Sequence, residues 1–209
     1  MLKVGIIGAN GKAGALIAKA AVVRNMAVTA IVRHTTDADS DYEVLQKDLF
    51  DLTQADIKAF DVVVNATAFF GDPEKFKTSQ AHMIDILKDS GVYYMVVGGA
   101  GSLYVDATRT TRLKDTKDFP DAFKPVAENM TAGLELLKAS SGFDWTYVSP
   151  ANDFTPMGGL TGQYEINGDI FTPDEDGKSF LSYKDFAQAF VTVMTQPKYR
   201  NKQISLHHV

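Results

Sequence analysis

Two patterns of apolar and polar residues alternate along the chain: short apolar runs closed by glycine or aspartate, and longer stretches whose apolar residues return every three or four positions. The first pattern marks buried strands and the second amphipathic helices. Residues 2–7, with Val4, Ile6 and Ile7, read as a strand ending at Gly8. A helix follows with Leu16, Ile17, Ala20 and Ala21 on one face, ending near Arg24 and Asn25. Residues 27–32, 42–47, 61–66 and 92–97 supply the second to fifth strands, and 143–151 the sixth with its exit. Between them lie a modest helix at 53–60 and a helix that opens at Pro73, carries Phe76, Gln80, Met83, Ile84 and Leu87, and stops at Ser90 and Gly91. A long helix repeats Val126, Met130, Leu134 and Leu137.

Strand and helix alternating in this way imply an α/β fold with a doubly wound parallel sheet. Residues 104–119 are polar without an apolar period and read as a surface loop, a kind of segment that commonly serves as a lid or binding loop. From 152 to 180 the chain turns rich in Gly, Pro, Asp and Thr, and the short pieces 163–166 and 169–172 are expected to pair as a small hairpin. Ser182 and Asp185 have the spacing of a capping box. They open a helix with Phe186, Phe190, Val193 and Met194 that stops before Pro197, and residues 203–207 close as a strand.

At 209 residues the chain suits one domain, 1–209, with a small C-terminal substrate-side subregion near 152–180. Its 45% hydrophobic and 22% charged residues are ordinary for a globular protein. No apolar run approaches the ~20 residues of a membrane span, and no basic, signal-like leader opens the chain; a cytoplasmic protein with no membrane partner is expected. The lack of cysteine excludes a disulfide framework and a thiolate site. A formal charge of −5 argues against a nucleic-acid surface, so any anion site must be local. Monomer and homodimer both remain open.

The chemistry concentrates where strands end. Gly8, Ala9, Asn10, Gly11, Lys12, Ala13 and Gly14 turn the first strand into the first helix with the spacing GxxGxxG. Gly8 allows the tight turn, Gly11 admits a pyrophosphate to the backbone, and Gly14 lets helix and strand pack closely, so the pattern implies a dinucleotide held at the helix start. A glycine turn without a ligand is the alternative. Arg33 closes the second strand about 20 residues after the turn, where an arginine accommodates the 2′-phosphate of NADP and an acid would pair with the ribose of NAD. With His34 beside it and Lys12 in the turn, NADPH is favoured; Asp37 and Asp39 weigh the other way, and an exposed arginine with no ligand is the plain alternative. Asp48, followed by Leu49, reads equally as an acceptor for the adenine amino group or as a helix cap. Ala66, Thr67 and Ala68 are small enough to leave room for a cofactor's middle. Gly98 and Gly99 admit either close approach of a ligand or a plain turn. Ser102 sits near the expected nicotinamide. Phe69, Phe70, Tyr104 and Phe154 could stack on a substrate ring, although packing is the better reading of each. The histidines, His34, His82, His207 and His208, lack metal-ligand spacing, so no metal site is read.

Taken together, residues 8–14, 98–102, 124–128 and 144–151, with the runs VVGGAGSL, FDWTYVSPA, TGQYEINGD and SFLSYKDFAQA, resemble an atypical short-chain dehydrogenase/reductase. The resemblance is to the NAD(P)H-binding branch that includes bacterial NADH-flavin reductases, biliverdin-IX-beta/flavin reductases and NmrA-like proteins. It implies an NAD(P)-binding Rossmann fold, NADP(H) preferred over NAD(H), and hydride transfer to FMN, FAD or a similar planar acceptor. It also implies that Gly8, Asn10, Gly11, Lys12, Ala13 and Gly14 hold the pyrophosphate, Arg33 the 2′-phosphate and Asp48 the adenine. Ala66 to Ala68, with Pro150 and Ala151, would line the nicotinamide side. The alternative within the resemblance is a non-enzymatic NADP(H)-sensing regulator of the NmrA-like type. Related dehydrogenases place a proton-donating Tyr four residues before a Lys; here Pro120 stands four before Lys124, and no Tyr-x-x-x-Lys occurs. That argues against a ketone or alcohol dehydrogenase, and against an epimerase or dehydratase needing an acid/base pair, and leaves no residue with a catalytic role.

Overall fold

A computed structural model describes residues 1–35, 42–174 and 176–209; Asp37 and Asp39, the acids weighed against Arg33, lie outside them. The strands in chain order are β1 (Lys3–Ile7), β2 (Ala27–Val32), β3 (Glu43–Gln46), β4 (Val62–Asn65), β5 (Tyr93–Val97), β6 (Trp145–Ser149), β7 (Asp153–Thr155), β8 (Glu165–Asn167), β9 (Phe180–Ser182) and β10 (Lys202–His207). The helices are α1 (Lys12–Val23), α2 (Gln54–Ile57), α3 (Glu74–Leu87), α4 (Lys124–Lys138) and α5 (Tyr183–Met194). Among the described residues no helix is long and apolar enough to cross a membrane.

An eight-stranded sheet runs in the order β3-β2-β1-β4-β5-β6-β10-β8, parallel except for the edge strand β8. Buried on both faces, its inner strands need apolar residues at every position rather than at alternate ones, which is why β4 reads VVVN. Val62 and Val64 enter the core beneath α1 and α5, while Val63 enters the opposite core with Met83 and Leu87 of α3 and Leu134 and Leu137 of α4. The doubly wound parallel sheet expected from the alternation of strand and helix is the architecture found.

Two local expectations are corrected. Residues 163–166 and 169–172 do not pair with each other: Glu165–Asn167 adds antiparallel to β10, and Ile170 bridges Tyr104. An isolated two-stranded hairpin is marginal, whereas the open edge of β10 offers an ordered partner for the same backbone groups. The polar stretch 104–119 is also more tied down than its composition suggests. Tyr104 bridges Arg112, Leu113 N–H donates to Leu103 O at 2.8 Å, and Leu113–Asp115 forms a 3₁₀ turn.

Because β10 is parallel to β6, the helix that feeds it must start at the carboxyl edge of the sheet and end at the amino edge. α5 therefore runs alongside α1 in the same direction. The guanidinium of Arg24, just past α1, reaches Gln188 O at 3.3 Å and Thr192 Oγ1 at 2.8 Å. Gly14 sets how closely α1 approaches β1, since a Cβ there would overlap the carbonyl of Gly8. Gly14→Ala is expected to lower stability by about 2–3 kcal/mol, the usual cost of an overpacked contact against backbone, in urea denaturation without cofactor.

Candidate dinucleotide site

Between β1 and β4 the chain switches from one side of the sheet to the other, so the loops leaving these strands part and leave a crevice at the carboxyl edge. Gly8 turns the chain there with φ +79°, a conformation that disfavours side chains, and its N–H donates to Ile31 O at 3.0 Å. A Cβ on Gly8 would come within 3.0 Å of Ala66 O, so the glycine turn and the exit of β4 share one floor. Gly11 closes the turn, its N–H donating to Gly8 O at 2.9 Å, and caps α1 without a side-chain bond. The first turn of α1 holds no acidic residue, and the N–H groups of Lys12, Ala13 and Gly14 have no protein acceptor among the described residues. A helix start left open in this way favours an anion, and a pyrophosphate fits the donor set.

The ends of β2 and β3 are laced to this turn. Asn10 Nδ2 donates to His34 O at 2.9 Å, and Gln46 Nε2 donates to Arg33 O at 3.2 Å. Arg33 and His34 are exposed, and the Arg33 guanidinium makes no ion pair among the described residues. Asp48 serves as a cap: its Oδ1 accepts from Phe50 N–H at 2.9 Å and opens the 3₁₀ turn Leu49–Asp51, a bond that uses one of its two carboxylate oxygens, while the Leu49 side chain is buried in the core.

At the exit of β4 the structure brings in a residue that the sequence pattern did not single out. Asn65 is buried, and its Oδ1 accepts from Thr67 N–H at 3.1 Å and Thr67 Oγ1 at 2.6 Å, while its Nδ2 donates to Tyr94 Oη at 3.0 Å. Tyr94 in turn donates to Gln80 Oε1 at 3.0 Å. This chain fixes the backbone at Thr67 from below, leaving Ala68 exposed above it. Burial pushes the Tyr94 and Tyr147 phenols well above their ordinary range, so both keep their protons. The signal for Asn65 was available, since it is the polar residue that ends an otherwise apolar run.

On the far side, a Cβ at Gly98 would collide with the Tyr147 ring, and one at Gly99 would come within 3.1 Å of Met130 Sδ. Packing accounts for the first glycine without a ligand. Pro150 and Ala151 lie buried at the end of β6. Of the nearby residues able to give up a proton, Ser102 Oγ donates to Gly99 O at 3.0 Å and accepts from Gln203, and Lys124 pairs with Asp121 at 2.6 Å, whereas Tyr104 Oη accepts from Arg112 at 3.2 Å, a bond that does not use its own proton. Of the aromatic candidates, Phe69 meets Phe76 edge-on at 5.4 Å, Tyr104 lies beneath Arg112, and Phe154 packs at a tilt against Tyr183 at 4.1 Å. Phe70 is 68% exposed.

A glycine turn that opens a helix at the switch point of a parallel sheet defines a dinucleotide-binding protein of the Rossmann class. Residues 8–197 match the NAD(P)H-binding family, and the chain belongs to that family. It is 41% identical over 208 residues to the uncharacterized protein YwnB of Bacillus subtilis, covering 98% of each chain. The crystal structure of "a putative NADH-flavin reductase" from Streptococcus pneumoniae superposes with a TM-score of 0.95 at 40% identity over 100% of both chains. ChuY, described as an anaerobillin reductase from Escherichia coli O157:H7, shares the fold at a TM-score of 0.76 and 18% identity, over 99% of this chain and 97% of that one. The resemblance to the NAD(P)H-binding branch of atypical short-chain dehydrogenase/reductases is borne out.

Replacing Asn65 by Leu removes the acceptor of both Thr67 donors, and Tyr94→Phe leaves Asn65 Nδ2 and Gln80 Oε1 without their partner in the interior. Each is expected to lower stability by about 1–3 kcal/mol in urea denaturation.

Proposed function

We propose that this protein is an NADPH-dependent reductase whose acceptor is a flavin, FMN or FAD, or a similar planar ring. The observation that carries the proposal is the open start of α1 above Gly8 and Gly11, with the exposed Arg33, which makes no ion pair among the described residues, at the end of the neighbouring strand. The backbone N–H groups of Lys12, Ala13 and Gly14 would bind the pyrophosphate, and Arg33 would pair with the 2′-phosphate. Thr67 and Ala68, held from below by Asn65, would lie along the nicotinamide with Pro150 and Ala151 facing them. The reduced nicotinamide, when bound, supplies a hydride from its C4. The chain's part is to set the two rings in contact and keep water out of the gap.

The engagement of the Ser102 proton and of Lys124 in other contacts, with no Tyr-x-x-x-Lys pair in the chain, favours an acceptor that needs no protein acid. A flavin meets that condition, since the hydride goes to its N5 and the remaining proton can come from water. A simple ketone does not.

NADPH oxidation measured with and without FMN tests the proposal: FMN-dependent turnover supports it. NADPH binding with no turnover on any flavin would overturn it in favour of an NmrA-like sensor. Arg33→Ala is expected to weaken NADPH by about 1–3 kcal/mol and to leave NADH nearly unchanged in titration calorimetry. Equal losses for both would remove Arg33 as the phosphate reader. Ser102→Ala, Tyr104→Phe and Lys124→Met should each change FMN reduction by well under ~100-fold, the lower end of what a positioned acid contributes. Loss of activity in one of them at unchanged NADPH affinity would reveal an acid.

A further inference from the structure

Residues 156–163 have no regular structure, and the apolar side chains of Met157 and Leu160 in this segment are 74% and 57% exposed. Directly beneath lies the carboxylate of Asp185, itself 1% exposed. Its Oδ1 accepts from Thr161 N–H at 2.9 Å and Gly162 N–H at 2.8 Å, and its Oδ2 from Thr161 Oγ1 at 2.9 Å. Ser182 Oγ accepts from Asp185 N–H at 3.0 Å, and its single proton has Gly159 O at 2.9 Å and Asp185 Oδ2 at 3.0 Å within reach. The capping box expected at α5 is therefore half formed: Ser182 Oγ caps the helix start, while the Asp185 carboxylate, which does not return to the Ser182 N–H, grips a loop instead.

Capping α5 does not require a buried carboxylate with this many donors, since the Ser182 hydroxyl already serves the helix start. Burial pushes the Asp185 carboxyl up, but the donors from Gly162, Thr161 and Ser182 outweigh it and hold the group below the ordinary carboxylate range. With the folded value depressed, the grip is complete above the ordinary carboxylate range and is lost only as pH falls through the lowered value. At neutral pH it stays closed.

Position gives the grip a purpose. α5 starts at the carboxyl edge of the sheet and runs beside α1, so the gripped loop stands at the same edge, and on the same face, as the glycine turn. β7, which leads from Ala151 into the loop, is fastened to α5 by Phe154, whose ring packs at a tilt against Tyr183 at 4.1 Å and Phe186 at 4.8 Å. The loop is thus held at both its base and its tip.

We infer that Asp185 is a positioning residue for the acceptor: it fixes residues 156–163 as an apolar wall, with Met157 and Leu160 contacting the flat face of the acceptor ring. The inference rests on the reductase reading for the acceptor's chemical class. The wall acts on acceptor binding, not on hydride transfer or on the nucleotide.

Thr161→Val and Thr161→Ser separate this role from a purely structural one, because both variants change an exposed loop residue and only the first removes the hydroxyl that Asp185 holds. Hydrogen exchange over 156–163 reads the grip. FMN affinity, from flavin fluorescence in the presence of NADP⁺, reads the wall. NADPH affinity is the control. Thr161→Val and Asp185→Asn are expected to speed exchange and weaken FMN by about fivefold, the equivalent of one hydrogen bond, with NADPH affinity held within about twofold. Thr161→Ser should match the unmodified protein, and Met157→Ser should weaken FMN without changing exchange. Unchanged exchange in Thr161→Val and Asp185→Asn would overturn the grip. Faster exchange with unchanged FMN affinity, or an equal loss of NADPH affinity, would overturn the wall. These readouts do not depend on turnover, so an unmodified protein that binds FMN without oxidising NADPH would sink the reductase reading and leave the wall standing, whereas one that does not bind FMN would sink the wall.

Discussion

The closeness of α1 to the turn that precedes it governs the candidate site. Gly14 has no room for a side chain against the Gly8 carbonyl, and Gly8 has little against Ala66. These contacts bring the start of α1, the end of β1 and the exit of β4 onto one floor, beside the N–H groups of the helix that have no protein acceptor among the described residues. Move the helix out by the width of a methyl group and the donors no longer converge. The remaining features of the site, from the Asn10 bond that ties in β2 to the Asn65 chain that supports Thr67, adjust loops around that floor.

Much of this was legible in the order of the residues. Buried parallel strands advertise themselves as unbroken apolar runs, so β1, β2, β4 and β5 stand out, as do the helices with a single apolar face. The glycine turn is legible because its spacing reflects steric demands local to the chain. The pairing of β8 with β10, and of β7 with β9, was not, because such short strands are chosen by which sheet edge lies open, a property of the assembled molecule. Gly98 shows a similar limit: a glycine beside a strand end looks the same whether it yields to a ligand or to the ring of Tyr147, fifty residues away by rough count, and only the packing decides. Asp48 is legible as a cap only once the Phe50 N–H is seen on its Oδ1.

The polar interior divides along the same line. Asn65, Tyr94 and Gln80 come from β4, β5 and α3, and no segment alone betrays that they meet. Buried polar groups of this sort are costly unless all are paired, so they hold a loop in one position more firmly than apolar packing would. Here the loop held is the one that runs past the candidate nicotinamide position.

Two helices begin side by side at the carboxyl edge, each carrying roughly half a positive charge at its start. Had both been left bare, an anion arriving at this face would have found a broad, divided target. α5 meets its own need internally, since the ionised Asp185 neutralises that end with a charge the protein carries itself. The start of α1 has no such resident. On a chain with an overall charge of −5, the bare helix start that remains at this face is that of α1, beside Lys12 and Arg33, so a dinucleotide's phosphates meet one helix terminus rather than two.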